Sequence, residues 1–458
     1  MSARRQERGS SARSRPEMAV QSRPLYYLTP MRRLRRLLRS LPLATLLLPV
    51  SLQAQRLIDQ PRLLDDIRYL ADDALQGRMT GTAGADSAAA YLAMRFAQAG
   101  LQAGAGGWLQ DFPISRDAPA AQAAHVSGTV GHNVIGILPG RDPRLRNEVV
   151  VVGAHYDHLG LGGFGSLDPD STGRVHNGAD DNASGAAALI QIASRLATAA
   201  PARTVVFIAF SGEELGLLGS SWYVHHAPYP IDRTVAMINL DMVGRLKNNR
   251  LIVYGSATAT EFPKLLDSLN WYAGFDLKAQ GDGFGPSDQS SFYAAKRPVL
   301  HVFTDLHEDY HRASDDWQKI NIDGLLRVTD FTTGIVTAIA NRPTSLTFVD
   351  VVPPLHTAGP APGPMQTAGY GAYLGTVPDM SENPGGVRIS GVRAGSPAEK
   401  AGLKAEDVIT RIGDHDVPDL QAMTDALRSH RAGDVVPIIV LRDGARTTLS
   451  ATLGTRGG

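Results

Sequence analysis

The chain has 458 residues, 43% of them apolar, which is enough for two or three globular domains and excludes a wholly disordered protein. Residues 1–55 hold eleven arginines and two acids, so the other 403 carry 34 basic and 43 acidic side chains; that net charge of −9 excludes nucleic acid as a partner. There is no cysteine, hence no disulfide framework and no thiolate metal site, and any metal must be held by histidine and carboxylate.

Met31 to Gln55 opens with Arg32, Arg33, Arg35, Arg36 and Arg39, continues as an uncharged apolar run from Leu41 to Leu52, and has a small residue, Ala54, near its end. This is the pattern of a secretory signal peptide, and the run is shorter than the roughly 20 residues that span a bilayer. A secreted or periplasmic protein without a permanent membrane span is expected. Met1 to Pro30 shows no periodicity, and translation is expected to start at Met31.

Leu63 to Leu75 and Ala85 to Ala99 have helical apolar spacing and flank a glycine-punctuated loop, Gln76 to Gly84. Gly128 to Leu138 alternates as a strand, with His132 read as structural. Then come three apolar runs, each ending in an acid or a histidine. Val149 to Ala154 leads into His155-Tyr156-Asp157, Thr204 to Phe210 into Ser211-Gly212-Glu213-Glu214, and Val235 to Leu240 into Asp241. Unbroken β-branched runs of this kind suit parallel strands covered on both faces, and ligands of open α/β sheets bind at the carboxyl ends of strands. The fold class is therefore α/β, with a central, mostly parallel or mixed sheet and helices on both faces.

Between the first two runs lies Asn177 to Gly185, followed by a helix carrying Leu189, Ile192, Ala193 and Leu196 on one face. Each polar residue has an ordinary reading alone: Asp180 or Asp181 as a helix cap, Glu213 and Glu214 as solvated acids, His155 as a satisfied core histidine. Together they crowd carboxylates at strand ends, and buried charges need a partner or a metal. Leu161 to Gly173 reads as a loop over that edge. Further on, the sequence predicts a strand at Leu251 to Tyr254, a helix at Phe262 to Tyr272, a glycine-rich loop at Gly281 to Ser291, a strand at Pro298 to Phe303 and a helix at Asn321 to Asn341.

His307-Glu308-Asp309-Tyr310-His311 matches H-E-x-x-H, which binds zinc when it lies on an amphipathic helix. Here an apolar strand leads in and no helical stripe follows, so the expectation is a strand-end loop in which one histidine is a ligand. Arg342 to Gly369 shifts to Pro, Thr, Gly and Ala and reads as a linker. Tyr370 to Gly458 forms a separate β-rich unit with one clear helix, Leu420 to His430.

The ordered motifs GAHYDHLG, NGADDNASG, FSGEELGLLGS, INLDMVGR and DYHRASDD resemble the M28 family of zinc-dependent peptidases, aminopeptidase-type enzymes with two co-catalytic zinc ions, over roughly Leu63 to Ala340. The C-terminal unit is similar to a bacterial PDZ domain through Gly395-Ser396-Pro397-Ala398-Glu399-Lys400-Ala401-Gly402-Leu403, with Tyr373-Leu374-Gly375 where such domains place their carboxylate-binding loop. The resemblance implies a zinc-peptidase (phosphorylase/hydrolase-like) domain over 56–341, a linker over 342–369 and a PDZ domain over 370–458, after an arm and signal peptide over 1–55. It implies that His155 and Asp241 bind one zinc, Glu214 and His311 the other, and that Asp180 bridges them. Glu213 would be the general base, Asp157 would accept the other N–H of His155, and Asp181 would shape the backbone. Tyr310 would either donate to an oxyanion or pack, and Gln289 stands where many relatives carry histidine. The implied activity is removal of N-terminal residues from peptides with a free N-terminus, with a PDZ ligand as second partner. Carboxypeptidase action, glutaminyl-cyclase-like chemistry and an inactive binding module remain as alternatives.

Overall fold

A computed structural model of the chain describes residues 59–351, 372–378, 385–392, 395–418 and 420–455, apart from 105, 117, 169–171 and 286. The expected leader and most of the expected linker lie outside the described residues. Among those described, no helix is long and apolar enough to cross a membrane.

In chain order the first unit contains α1 (Gln60–Leu70), α2 (Ala83–Gln98), β1 (Gln102–Ala103), β2 (Leu109–Pro113), α3 (Pro119–Ala123), β3 (Val130–Leu138), β4 (Val149–His155), α4 (Gly185–Ala199), β5 (Thr204–Phe210), α5 (Leu218–His226), β6 (Thr234–Leu240), β7 (Arg250–Tyr254), α6 (Phe262–Ala273), β8 (Asp276–Ala279), α7 (Gln289–Ala294), β9 (Val299–Phe303) and α8 (Ile322–Asn341). The nine strands make one sheet in the order β1-β3-β5-β4-β6-β9-β7-β8, with β2 also paired to β3. Its centre, β5-β4-β6-β9, is parallel. β3 joins β5, and β7 joins β9, in antiparallel fashion, so the sheet is mixed.

All seven residues of β4 are buried. Because side chains alternate across a strand, Val150, Val152 and Ala154 enter the core that holds α1, α2, α4 and α8, whereas Val149 and Val151 pack with Tyr223 of α5 and Phe292 of α7. Each buried valine contributes about 1.5–3 kcal/mol, which is why this strand lies at the centre of the sheet. The first helix ends earlier than its apolar spacing suggests. Asp72 caps a short 3-10 turn, Asp73–Arg78, that replaces its expected last turn. The elements β1, β2, α3, α5 and α7 were not expected from the sequence; they are too short to show a period.

The second unit has its own core, including Ile389, Ile409, Ile412, Met423, Ile438 and Val440. It contains β10 (Ala372–Tyr373), β11 (Thr376–Pro378), β12 (Val387–Val392), α9 (Pro397–Ala401), β13 (Val408–Ile412), β14 (His415–Asp416), α10 (Leu420–Ser429), β15 (Val435–Arg442), β16 (Ala445–Thr452) and β17 (Gly454–Thr455). β11 is an edge strand of its sheet, next to β12. Ser396 caps α9, its hydroxyl accepting from the Glu399 N–H at 3.1 Å. Asp407 pairs with Arg442 through two contacts of 2.7 Å.

Candidate metal centre

The carboxyl ends of β4, β5 and β6 and the loop after β9 converge on a buried cluster. β4 delivers His155, with Asp157 and His158 just beyond it. β5 stops at Phe210, and the turn through Gly212 (φ 74°) presents Glu213 and Glu214. Asp241 directly follows β6, and His311 lies in the turn after β9. The segment Ala179–Ser184, ahead of α4, lays Asp181 across the middle.

Asp181 faces both halves of this cluster. Its Oδ1 is 3.3 Å from His155 Nε2, which is also 3.3 Å from Asp241 Oδ1. Its Oδ2 is 3.2 Å from His311 Nε2, which is 3.3 Å from Glu214 Oε2. Among the described residues, two sets of ligating atoms each lie within 4.8 Å of one another: His155, Glu213 and Asp241, and His158, Asp181 and Glu214.

The expectation for Asp180 is corrected by this geometry. Its Oδ1 accepts from the Gly244 N–H at 2.6 Å and from the Ser184 hydroxyl at 2.9 Å, and its Oδ2 lies 3.2 Å from His307 Nε2. The backbone turns between the two acids, with Asp181 at φ −106°, ψ 90°, so adjacent side chains leave in different directions. Both backbone N–H groups donate to Asp315 Oδ2, at 2.8 and 3.1 Å, which fixes the turn.

Asp157 stands beside His155 as expected, but its carboxylate is 3.7 Å from Nδ1, and the nearer acceptor is its own backbone carbonyl at 3.2 Å. The carboxylate accepts instead from the Thr80 hydroxyl at 2.9 Å and from the Glu213 N–H at 3.3 Å, tying the β4 end to the β5 turn. His158 was missed in the sequence. Its Nδ1 is 2.8 Å from Glu214 Oε1, and its Nε2 is buried without a hydrogen-bond partner. Gly178, at φ 52°, leaves room for that ring, since a Cβ there would lie 2.4 Å from it. Tyr310 stacks on His311 with ring centroids 3.9 Å apart and sits against Met242, Ile252 and Phe303, which favours the packing reading. His307 to His311 form loop and turn, so the helical zincin arrangement is absent.

The electrostatics describe a site short of positive charge. Burial pushes the Glu213 carboxyl well up, and Glu214 and Asp241 reinforce this against the opposing pull of His155. Burial would lower His311, yet Glu214 and Asp181 carry it up to about 9. His155 also rises, because Glu213 and Asp241 outweigh its burial. Asp181 is held well below the usual carboxylate range despite burial, by His155 and His311.

The donor set fits zinc. With Nδ1 of His155 and His311 directed at backbone carbonyls, at 3.2 and 2.8 Å, each Nε2 lone pair faces carboxylate oxygens at 3.2–3.3 Å. That arrangement is repulsive unless a proton or cation lies between them, and a carbonyl on the far nitrogen is how metal-bound histidines are oriented. Imidazole and carboxylate without thiolate suit a borderline divalent ion in a four- or five-coordinate site.

Residues 133–336 match peptidase family M28, and residues 372–453 match the PDZ domain family. Among curated proteins the chain is 30% identical over 42% of its length to leupeptin-inactivating enzyme 1 of Streptomyces exfoliatus, and 29% identical over 44% to aminopeptidase YwaD of Bacillus subtilis. The matches span 40% and 44% of those relatives. Among solved structures, a Zn-dependent exopeptidase from Parabacteroides distasonis aligns with TM-score 0.52 at 19% identity, covering 62% of this chain and 99% of the other. Glutaminyl cyclase from Bacteroides thetaiotaomicron aligns with TM-score 0.51 at 17% identity, covering 62% and 98%. The shared fold thus spans two chemistries. The stretch of this chain that is similar to peptidase family M28 is residues 133–336, and the stretch similar to the PDZ domain family is residues 372–453.

Proposed function

We propose that the chain is an exported dizinc aminopeptidase, with a peptidase unit over 56–341, a linker over 342–369 and a PDZ unit over 370–458. The observation that carries this reading is the Asp181 carboxylate, one oxygen toward His155 and Asp241 and the other toward His311 and Glu214. His155, Asp241 and one oxygen of Asp181 would hold one zinc; Glu214, His311 and the other oxygen would hold the second. Zinc bound there supplies the positive charge that acidifies water and polarises a peptide carbonyl at neutral pH.

Glu213 is the general base. It takes a proton as the water oxygen bonds to the carbonyl carbon, and returns it to the amine nitrogen as the C–N bond breaks. Its buried setting raises its proton affinity, which suits a group that must both accept and donate. Asp157, held by Thr80, fixes the Glu213 backbone and so the reach of that carboxylate. In the PDZ unit, the edge position of β11 in its sheet suits addition of a strand from a chain end.

Release of free amino acid from an unblocked peptide, but not from its N-acetylated twin, tests the reading. Loss of C-terminal residues from the blocked peptide would mean carboxypeptidase action. Ammonia release from a glutamine-terminated peptide, with no free amino acid, would mean cyclase chemistry on the same fold. Deleting 370–458 should leave cleavage of short peptides within about two-fold while weakening action on long chains, because a strand-adding unit contributes through effective concentration; equal loss on both would place the PDZ unit in the active site.

A further inference from the structure

The metal cluster draws on a residue outside the stretch that matches the peptidase family. The 3-10 turn after α1 ends in Gln76, Gly77 and Arg78, with φ of 47°, 69° and 52°. Gly77 must be glycine here, since a Cβ would lie 2.4 Å from Gly160 O and 2.5 Å from His176 O. This tight corner sends the Arg78 side chain inward, where it has no exposed surface.

Its guanidinium meets only backbone carbonyls. Nε donates to Tyr156 O at 2.7 Å, Nη1 to Leu70 O and, at 2.6 Å, to Asn177 O, and Nη2 to Gly178 O at 3.1 Å. Tyr156 lies between His155 and Asp157, and Asn177 and Gly178 precede the turn that aims Asp181. The corner also receives the site from its backbone side: the His158 N–H donates to Arg78 O at 3.4 Å, and the Gly160 N–H to Gly77 O at 3.1 Å. One planar fork therefore joins the two loops that deliver His155 and Asp181.

A buried cation without a carboxylate partner is costly. Arg203, the other fully buried arginine among the described residues, has one: Glu148 Oε2 at 2.7 Å, with the Ile339 and Arg342 carbonyls beside it. Arg78 feels its anions only through space. Burial lowers it to about 10, and Asp157, Asp181, Asp315 and Glu214 act against that. Its charge is thus set beneath the carboxylate cluster while its hydrogen bonds are used on the backbone.

We propose that Arg78 is a positioning residue of the metal centre, whose guanidinium sets the spacing between the His155 and Asp181 loops so that both side chains meet the same ion. This rests on the dizinc reading above. Lysine keeps the charge but has no planar fork, so it cannot hold three segments at once.

The test uses the full chain stripped of zinc, with zinc affinity measured by competition against a chelating dye, alongside thermal unfolding and steady-state kinetics. Wild type, Arg78→Lys, Arg78→Met and Arg203→Met are compared. Arg78→Lys, the milder change, keeps the test usable if Arg78→Met fails to fold. The expected result is a folded Arg78→Lys protein whose zinc affinity is about 10- to 100-fold weaker, as for other groups that orient metal ligands, and whose kcat at saturating zinc falls more than KM rises. Arg203→Met should melt earlier yet bind zinc like wild type. Folded Arg78→Lys with wild-type zinc affinity and an unchanged kcat would overturn the proposal. Wild type that takes up no zinc at all would overturn the dizinc reading, and the role of Arg78 with it.

Discussion

The two ends of the central sheet are built from the same buried strands and treat charge in opposite ways. At the amino end of β5, Arg203 is paired with Glu148, and Thr204 donates to Arg146 O at 2.7 Å and accepts from the Gly140 N–H at 3.0 Å. At the carboxyl end, acids outnumber cations, and His158 Nε2 has no hydrogen-bond partner. One end pairs its buried charge with an opposite one and the other crowds like charges together, so the first is arranged for stability and the second for binding.

The largest effect that would sharpen this contrast is Glu213→Gln. It should retain zinc and thermal stability and lose turnover by about 10²-fold or more, the usual contribution of a general base; unchanged turnover would remove Glu213 from its role. At the other end, Glu148→Gln should do the reverse, lowering stability by about 1–3 kcal/mol with kcat unchanged, since it weakens the partner of a buried guanidinium. A fall in kcat without loss of stability would break the comparison.

A smaller and pH-dependent effect is expected at Asp288. Burial pushes this carboxyl up to about 7, with Asp157 and Asp241 adding to it against His155 and the Ser220 hydroxyl. The folded state then holds a proton that the unfolded chain releases near 3.9, so ionisation reduces stability progressively between about pH 4 and pH 7. In zinc-free protein, Asp288→Asn should therefore gain in melting temperature relative to wild type as pH rises through that window, and level off above it. A difference that does not vary with pH would show an ordinary, ionised Asp288.

The sheet and the strand ends were legible because Val149–Ala154, Thr204–Phe210 and Val235–Leu240 are continuous apolar runs that each stop at a polar group. His155, Glu213, Glu214, Asp241 and His311 were candidates because of those ends and the motifs around them, and they lie close together in the structure. The choice between Asp180 and Asp181 was not legible. Both acids are adjacent, and a turn pinned by Asp315, more than 130 positions away, decides which one faces the histidines. His158 carries no signal of its own in HYDH, where His155 and Asp157 already fill the two roles that the strand end suggests. Arg78 lies in the glycine-punctuated loop but had no role legible there, since its partners are backbone carbonyls, and carbonyls leave no mark in a sequence.

The most direct test of the account is zinc content per chain, by elemental analysis after dialysis, for wild type, Asp180→Asn and Asp181→Asn. The account predicts two zinc ions in wild type and in Asp180→Asn, and at most one in Asp181→Asn, because only Asp181 faces both histidines. Loss of zinc in Asp180→Asn, with both ions kept in Asp181→Asn, would contradict it.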